Sequence, residues 1–595
     1  WLKPTTHRLD IYNEEQAKTQ FLEHFDAMFS ENNFDRDSLT NLPTAYDYIR
    51  LGHPLSCILE WTVSKLYNIE NHNVISFSSQ TAPILAVLRK NLLDGRATTI
   101  FYTSSLPSSF NVDIIRQVYN YHFELVKLDS LEEIDHKEAS TILIAENDDI
   151  TYFDTSIEVD FQINISSSYG SIIMASGNEN NAYISEIQHV RRRETIAMTP
   201  INCLAVLTGL NNQTQDTPEA VERVTNKATV VNTVKEITQA PSDVLVGSSG
   251  LSVQYAIMMG LIDYAIEHHP NKAIKFVVPP NCYGGTNDQA RRVAACNNNV
   301  SIVDLPVDGD NDMVSSLNKV LDQIAEQDAI PYIIAEIPTN PRVEVPDLDE
   351  LKAALSKKRV TSKGQLAIDP VFILDQTFCP NVHFLGKGKV LSTVRAISYA
   401  SGSKFPSGGK CTAGYCVGNH LAFGLMDKIG LHLQMCDNEA TDLQYALLAE
   451  QLPSMNQRID RAYNNTREFV GYIQEQLPKA KINFVSEDLA NQGFTPSVFS
   501  LDLPTKGNSE EERETYKRKL NHRLIKMMIR EIPEESKYCV SYGQLKGCYW
   551  TIPATSTQGT TKEGDKDYIA RVALAGDLNL AKHKAIFKQF VDSLN

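Results

Sequence analysis

The chain reads as an α/β protein: a mostly parallel sheet with helices on both faces, followed by a smaller α+β domain. Three observations predict this. From about residue 240 short apolar runs alternate with amphipathic stretches. Those runs are almost continuously apolar, as strands buried on both faces require. A differently patterned region begins near residue 480.

The elements follow in order. "SDVLVGSSG" reads as a strand and turn, "LSVQYAIMMGLIDYAIEHH" as a helix, and "KAIKFVVPP" and "SIVDLPV" as strands. "DMVSSLNKVLDQIAEQ" has helical period, while "PYIIAEIP", "VFILDQTF" and "RAISYAS" have the length and apolar content of buried strands. Beyond 480, "FSLDLP", "YCVSYGQ" and "YIARVALAG" read as strands, and "LAKHKAIFKQFVDSLN" closes the chain as a helix.

Before residue 240 the pattern repeats itself. "VISFSSQTAPILAVLRKNLL" (74–93) resembles "VLVGSSGLSVQYAIMMGLID" (244–263), and residues 204–237 loosely resemble 445–476. Two resemblances in the same order suggest a diverged internal duplication; the competing reading is one domain with a long insertion. The predicted division is an N-terminal segment 1–42, a degenerate first copy 43–240, a large domain 241–478 and a small domain 479–595.

Composition narrows the function classes. The chain has 595 residues, 42% of them hydrophobic, and a net charge of −17 with its lysines and arginines dispersed. Neither a nucleic-acid footprint nor a polybasic membrane patch is indicated, so a small-molecule substrate is expected. Ten cysteines form no C-x-x-C pair and no zinc-ligand cluster, which predicts reduced thiols, no metal and a cytoplasm-like compartment. No run reaches the roughly 18 apolar residues of a membrane span, and the first residues lack a signal-peptide pattern.

In a parallel sheet, ligands sit beyond the carboxyl ends of the strands. That rule singles out Ser248, Ser249 and Gly250; Tyr283, Gly284 and Gly285; Pro338, Thr339 and Asn340; Asp375; and Ser401, Ser403 and Lys404. Lys404 is no phosphate-loop lysine. The pair Gly409-Lys410 would need a glycine at 404 and a hydroxyl residue at 411, where lysine and cysteine stand. A covalent role instead asks for an anion cup, a carboxylate and an aromatic face in the same cleft. Ser249, Gly250 and Leu251 open a helix suited to a phosphate, Ser401 and Ser403 add hydroxyls, and Asp375 and Tyr283 supply the other two.

These residues resemble the motifs of the Cys/Met-metabolism (transsulfuration) family of fold-type I pyridoxal-phosphate enzymes. S-x-T-K is similar to Ser401–Lys404, D-N-T-F to Asp375–Phe378, and E-S-P-[ST]-N-P to Glu336–Pro341. Y-G-G-T is Tyr283–Thr286, and S-S-G-M resembles Ser248–Leu251. The resemblance implies pyridoxal 5′-phosphate as cofactor, bonded through Lys404. It also implies Asp375 on the pyridine nitrogen, Tyr283 stacked on the ring and Asn340 near the 3-hydroxyl. "YIARVALAGD" resembles the family's R-L-S-x-G and points to Arg571 as the grip on a substrate carboxylate. Ser541, in "VSYG", resembles the serine near the cofactor lysine. Departures occur at Gln376, Ile337 and Gly408–Cys411, where the family has asparagine, serine and G-H-S-D.

The family completes its phosphate site with a Y-x-R from the neighbouring subunit. "YIRLGHPLSCILE" (48–60) resembles that segment, placing Tyr48 and Arg50 at its key positions, but in the first copy. That copy has no lysine between Lys137 and Lys227. The implied assembly is a homo-oligomer or a fused pseudo-dimer. The implied function is γ-replacement on an O-acylhomoserine, as in cystathionine γ-synthase. The alternatives are a cystathionine or methionine C–S lyase, or a non-catalytic regulatory homologue.

Overall fold

The computed structural model describes residues 17–594 apart from 44, 47, 132–133, 135–138, 148, 212–219, 281, 308–311, 341, 539–543 and 554–567. Three sheets organise it.

The central sheet contains β7 (Leu245–Gly247), β8 (Ile274–Val278), β9 (Val300–Asp304), β10 (Ile330–Glu336), β11 (Val371–Asp375), β12 (Ala396–Ser401) and β13 (Gly414–Gly418). The first sheet contains β1 (Val74–Phe77), β2 (Thr98–Tyr102), β3 (Glu124–Lys127), β4 (Ser140–Glu146), β5 (Phe161–Ser166) and β6 (Gly170–Ala175). The central order is β7-β13-β12-β11-β10-β8-β9. Pairings from β12 to β9 are parallel, as predicted. The two pairings at the other edge, β12 with β13 and β13 with β7, are antiparallel. The reason is local: β13 returns after the short segment 402–413, which contains no crossover helix, so it pairs antiparallel. Lys404 lies in that return.

The first sheet runs β1-β6-β5-β4-β2-β3. Its pairings are antiparallel for β1·β6 and β6·β5, then parallel for β5·β4, β4·β2 and β2·β3. Order and directions match the central sheet with one strand fewer, since β4 pairs directly with β5 where β11 would stand between. Close approaches match as well. A Cβ on Gly170 would lie 2.7 Å from the carbonyl oxygen of Ser78, and one on Gly414 would lie 2.6 Å from that of Ser249.

The two sheets share a core. One continuous cluster takes Ile75, Phe77 and Ile84 from the first half and Tyr255, Met258 and Ile429 from the second. Burial of this kind, at about 25 cal/mol per Å² of apolar surface, makes the seam part of the folded unit. Polar ties cross it too. Tyr119 Oη lies 3.0 Å from His432 Nδ1, Asn438 Nδ2 donates to the Glu194 carbonyl at 2.8 Å, and Arg292 pairs with Glu186 at 2.5 Å.

The third sheet comprises β14 (Lys481–Asn483), β15 (Val498–Asp502), β16 (Ser536–Tyr538), β17 (Gly547–Pro553) and β18 (Tyr568–Ala573), in the order β14-β15-β18-β17-β16. Helices Met455–Gln476, Glu510–Glu531 and Leu580–Asp592 cover it through Phe469, Leu524 and Phe587. β17 was not among the predicted strands: its apolar stretch is only "YWTI", hemmed between Gly547-Cys548 and Pro553. Of the predicted strand "YCVSYGQ", Tyr538 ends β16, and 539–543, Ser541 among them, lie outside the described residues.

The nine described cysteines are buried. Among the described residues, no helix is long and apolar enough to cross a membrane, and no His/Cys/Asp/Glu group is arranged to hold a metal ion.

Candidate functional site

The strand ends of the central sheet converge on one cleft. At its first corner, Ser249 caps the helix Gly250–His268, accepting from the Ser252 amide at 3.0 Å, while Ser252 Oγ accepts from the Ser249 amide at 2.8 Å. The amides of Gly250 and Leu251 are left in the first turn, where a helix offers no carbonyl to receive them. Gly250 is small for a reason: a Cβ there would stand 3.0 Å from Ser401 Cα. The cup and the end of β12 therefore touch.

Tyr283 begins the next helix, Gly284–Ala295, and its ring folds back over Gly285, where a Cβ would lie 2.4 Å from Cε1 and 3.0 Å from Leu251 Cδ1. The aromatic face so abuts the cup. Burial alone would raise the Tyr283 phenol, but the charges of Arg50, Arg193 and Lys404 overcome it and draw the hydroxyl down to about 7.

Lys404 sits in a compact return. Gly402 N donates to Ala413 O at 2.7 Å, Gly409 N to Lys404 O at 3.1 Å, and Gly408 and Gly409 take φ of 60° and 77°, which glycine tolerates at little cost. Lys404 Nζ points to Tyr48, donating to its hydroxyl at 3.3 Å. Lys410, in contrast, is a surface residue paired with Glu450 at 2.9 Å. Ser403 is buried, and the Ser401 amide donates to Thr377 Oγ1 at 2.9 Å.

Asp375 and Glu336 end adjacent strands opposite each other in register. The Thr377 amide donates to Asp375 Oδ1 at 2.9 Å, so one threonine ties the carboxylate to the lysine strand. Burial raises Asp375 above the ordinary carboxylate range despite Thr377, Tyr399 and Lys404, which favour the charged form. Burial, and then the charge of Asp375, push Glu336 up to about 8. Its Oε1 accepts from the Tyr283 amide at 2.7 Å, while Oε2 is buried without a hydrogen-bond partner. Asn340 Oδ1, two residues past the β10 turn, is likewise buried and unpartnered.

Two other parts of the chain reach in. From the small domain, Arg571 on β18 is 7% exposed, with its guanidinium 5.5 Å from the Phe378 ring, and its charge bears on Glu336. From the first half come Tyr48 and Arg50, 7% and 4% exposed, with the Arg50 guanidinium 4.3 Å over the Tyr48 ring. Arg50 Nε is buried without a hydrogen-bond partner.

The loop that carries them is held from several sides. His53 caps the helix Pro54–Tyr67, accepting from the Ser56 amide at 3.2 Å, and its Nε2 donates to the Met198 carbonyl at 2.8 Å. Burial holds this imidazole down at about 4, neutral as the cap requires. Behind the loop, Glu60 accepts from Arg191 Nη1 at 2.6 Å, Lys18 Nζ at 2.6 Å and Ser76 N at 3.0 Å.

The cleft therefore gathers Ser249, Gly250, Leu251, Tyr283, Asn340, Asp375, Ser401, Ser403, Lys404, Arg571, Tyr48 and Arg50; of the expected residues, only Ser541 falls outside the described ones. Two members escaped the sequence reading as site residues. Glu336 was visible only as part of a motif. Arg193, at the end of helix Asn181–Arg193, sits in "VRRRETI" with nothing to mark it, yet it reaches Asp288 at 2.6 Å and its charge acts on Tyr283. The departure at Gln376 is structural: its side chain accepts from Ser398 Oγ and donates to the Val382 carbonyl at 2.7 Å, away from the cleft.

No family model and no curated protein matches the chain. Solved structures that resemble it include cystathionine γ-lyase from yeast, at 16% identity over 64% of this chain and 90% of that one, TM-score 0.47. A methionine γ-lyase, CalE6 from Micromonospora echinospora, has 17% identity over 62% and 86%, TM-score 0.45. Cystathionine γ-synthase from Xanthomonas oryzae pv. oryzae has 14% over 64% and 88%, TM-score 0.44. Likeness of that degree bears on neither reaction nor substrate.

Proposed function

We propose that the chain is a pyridoxal-phosphate-dependent enzyme of sulfur amino-acid metabolism, acting by γ-replacement on an O-acylhomoserine. The observation that carries the reading is the convergence of Lys404, Tyr283, Asp375 and the Ser249–Leu251 cup in one buried cleft. The unsatisfied groups there fit the cofactor. Arg50 Nε and the first-turn amides ask for an anion such as a phosphate, and Asn340 Oδ1 asks for a donor such as a hydroxyl. Asp375 and Glu336, two buried carboxyls side by side, ask for a cationic N–H.

When bound, pyridoxal phosphate supplies an electron-withdrawing ring that stabilises negative charge at the substrate Cα. The protein does the rest. Gly250, Leu251, Ser401, Ser403, Tyr48 and Arg50 would hold the phosphate, and Asp375 would keep a proton on the ring nitrogen. Arg571 grips the substrate α-carboxylate, so that the Cα–H faces Lys404, whose amine takes that proton. Tyr283, drawn close to neutral pH, moves a proton where the leaving group departs and the thiol enters.

Borohydride treatment of protein loaded with pyridoxal phosphate, followed by peptide mass mapping, tests the site. Fixation on Lys404 is expected; fixation elsewhere, or none, refutes the reading. Product analysis separates the reactions. Cystathionine formed from O-acylhomoserine and cysteine supports γ-replacement, whereas cleavage of cystathionine alone would make the chain a lyase.

A further inference from the structure

We infer that one chain forms one complete active unit, in which the first half is a non-catalytic partner fused in cis. It lends Tyr48, Arg50 and Arg193 to the site of the second half, its own site having been dismantled. This rests on the cofactor reading above and goes beyond it. In a symmetric pair each half would give and receive; here the exchange runs one way.

Four losses disable the first half. The strand between β4 and β5 is absent, so Glu146 ends β4 as Glu336 ends β10, but no counterpart of Asp375 exists among the described residues. The return that carries Lys404 in the second half spans residues 402–413; its counterpart between β5 and β6 is only 167–169. No lysine lies there. Finally, the corresponding cup is already filled: the Gln80 amide, just before helix Ala82–Asp94, donates at 2.8 Å to the carboxylate of Asp437 from the second half. A side-chain carboxylate occupies the position where a phosphate would accept.

The gift in the other direction is intact. Tyr48 and Arg50 are buried in the cleft of their own chain, with Tyr48 Oη 3.3 Å from Lys404 Nζ. To serve a second chain they would have to be withdrawn from this contact and from the Arg50 carbonyl's bond to Ala197 N at 2.8 Å. Arg193 enters by the same route, over the seam, held by Asp288. In the second half the sequence from residue 200 to Ser248 contains no tyrosine, and so no Y-x-R to return the favour.

The test co-expresses Arg50→Ala chains with Lys404→Ala chains, refolds them together, and reads retention of pyridoxal phosphate through dialysis from visible absorbance. Losing a charged donor to phosphate should weaken retention about tenfold or more. The mixture is expected to retain no more than Arg50→Ala alone. Wild-type-strength retention in about one site in four, the share that random pairing of the two chains would restore, overturns the inference, because Arg50 would then cross between chains. Tyr48→Phe, which deletes one hydroxyl and spares the fold, is paired with Lys404→Ala in the same way. A wild-type chain that binds no pyridoxal phosphate overturns the proposed function and this inference with it, a result distinct from recovery in the mixture.

Discussion

Replacing Glu336 with glutamine removes one of two carboxyls buried at the ends of neighbouring strands. Burial and the adjacent Asp375 hold Glu336 at about 8, against 4.5 for a free glutamate. The native state then keeps a proton that the unfolded chain has lost, so the native state binds more protons between those values. For an acid raised in this way, the contribution to stability is full below pH 4.5 and is lost as pH rises through about 8. At about 1.4 kcal/mol per pH unit, the loss across that interval is on the order of 5 kcal/mol, shared with Asp375 because the two carboxyls titrate together. Glutamine keeps the shape and the acceptor for the Tyr283 amide but carries no proton to lose. In cofactor-free protein, urea midpoints of variant and wild type should agree near pH 5 and diverge toward pH 9, with the variant the more stable. Parallel curves would refute the reasoning. A wild type that gains on the variant as pH rises would refute it more sharply, since Glu336 would then have to be ion-paired.

Other perturbations probe the parts around it. Glu60→Gln strands Arg191 and Lys18 in the interior, and breaking such a buried pair costs about 3–5 kcal/mol; thermal unfolding should show it, and a change under about 1 kcal/mol would mean the network is solvated. Because Glu60 is held down at about 2, chiefly by Arg191 and Lys18 acting against burial, its contribution is present above pH 4.5 and is lost as pH falls toward 2. Gly52→Ala puts a Cβ 2.2 Å from Tyr46 Cε2. Overpacking of about 1–3 kcal/mol should be accompanied by weaker retention of pyridoxal phosphate, measured by dialysis, because the displaced loop carries Tyr48 and Arg50. Tyr283→Phe should leave cofactor retention within a few-fold but lower turnover about a hundredfold, and a pH–rate limb near 7 should disappear with the hydroxyl; an unchanged limb assigns it to another group.

Much of this site was legible in the sequence because parallel sheets place function at one kind of position. Lys404, Asp375, Tyr283 and the Ser249 cup each follow an apolar run, and a strand-end rule finds them one at a time. What it cannot find is register. That Glu336 faces Asp375 is a fact about two strands side by side, and only their pairing turns two ordinary acids into a pair that cannot both ionise freely. The antiparallel edge escaped for a related reason. "GYCVG" is as apolar as its neighbours, and its direction depends on the absence of a helix between residues 402 and 413. Arg193 was illegible because it serves the other half of the chain, where no local pattern records the contact.

In the cis arrangement proposed above, the first half needs its core but no lysine, aspartate strand or cup of its own. Stability and function there rest on different residues. The direct β4·β5 pairing and the short return at 167–169 leave the apolar cluster that joins Phe77 to Tyr255 closed. Removing the half would expose that cluster, leave Arg292 without Glu186 and Glu194, and take Tyr48 and Arg50 from the cleft. The seam is thus held by three independent means: apolar burial, buried charge and the donated loop. A substitution that weakens one leaves the other two in place. On the proposed cis arrangement, the second site needs the first half as a scaffold and places no demand on chemistry within it.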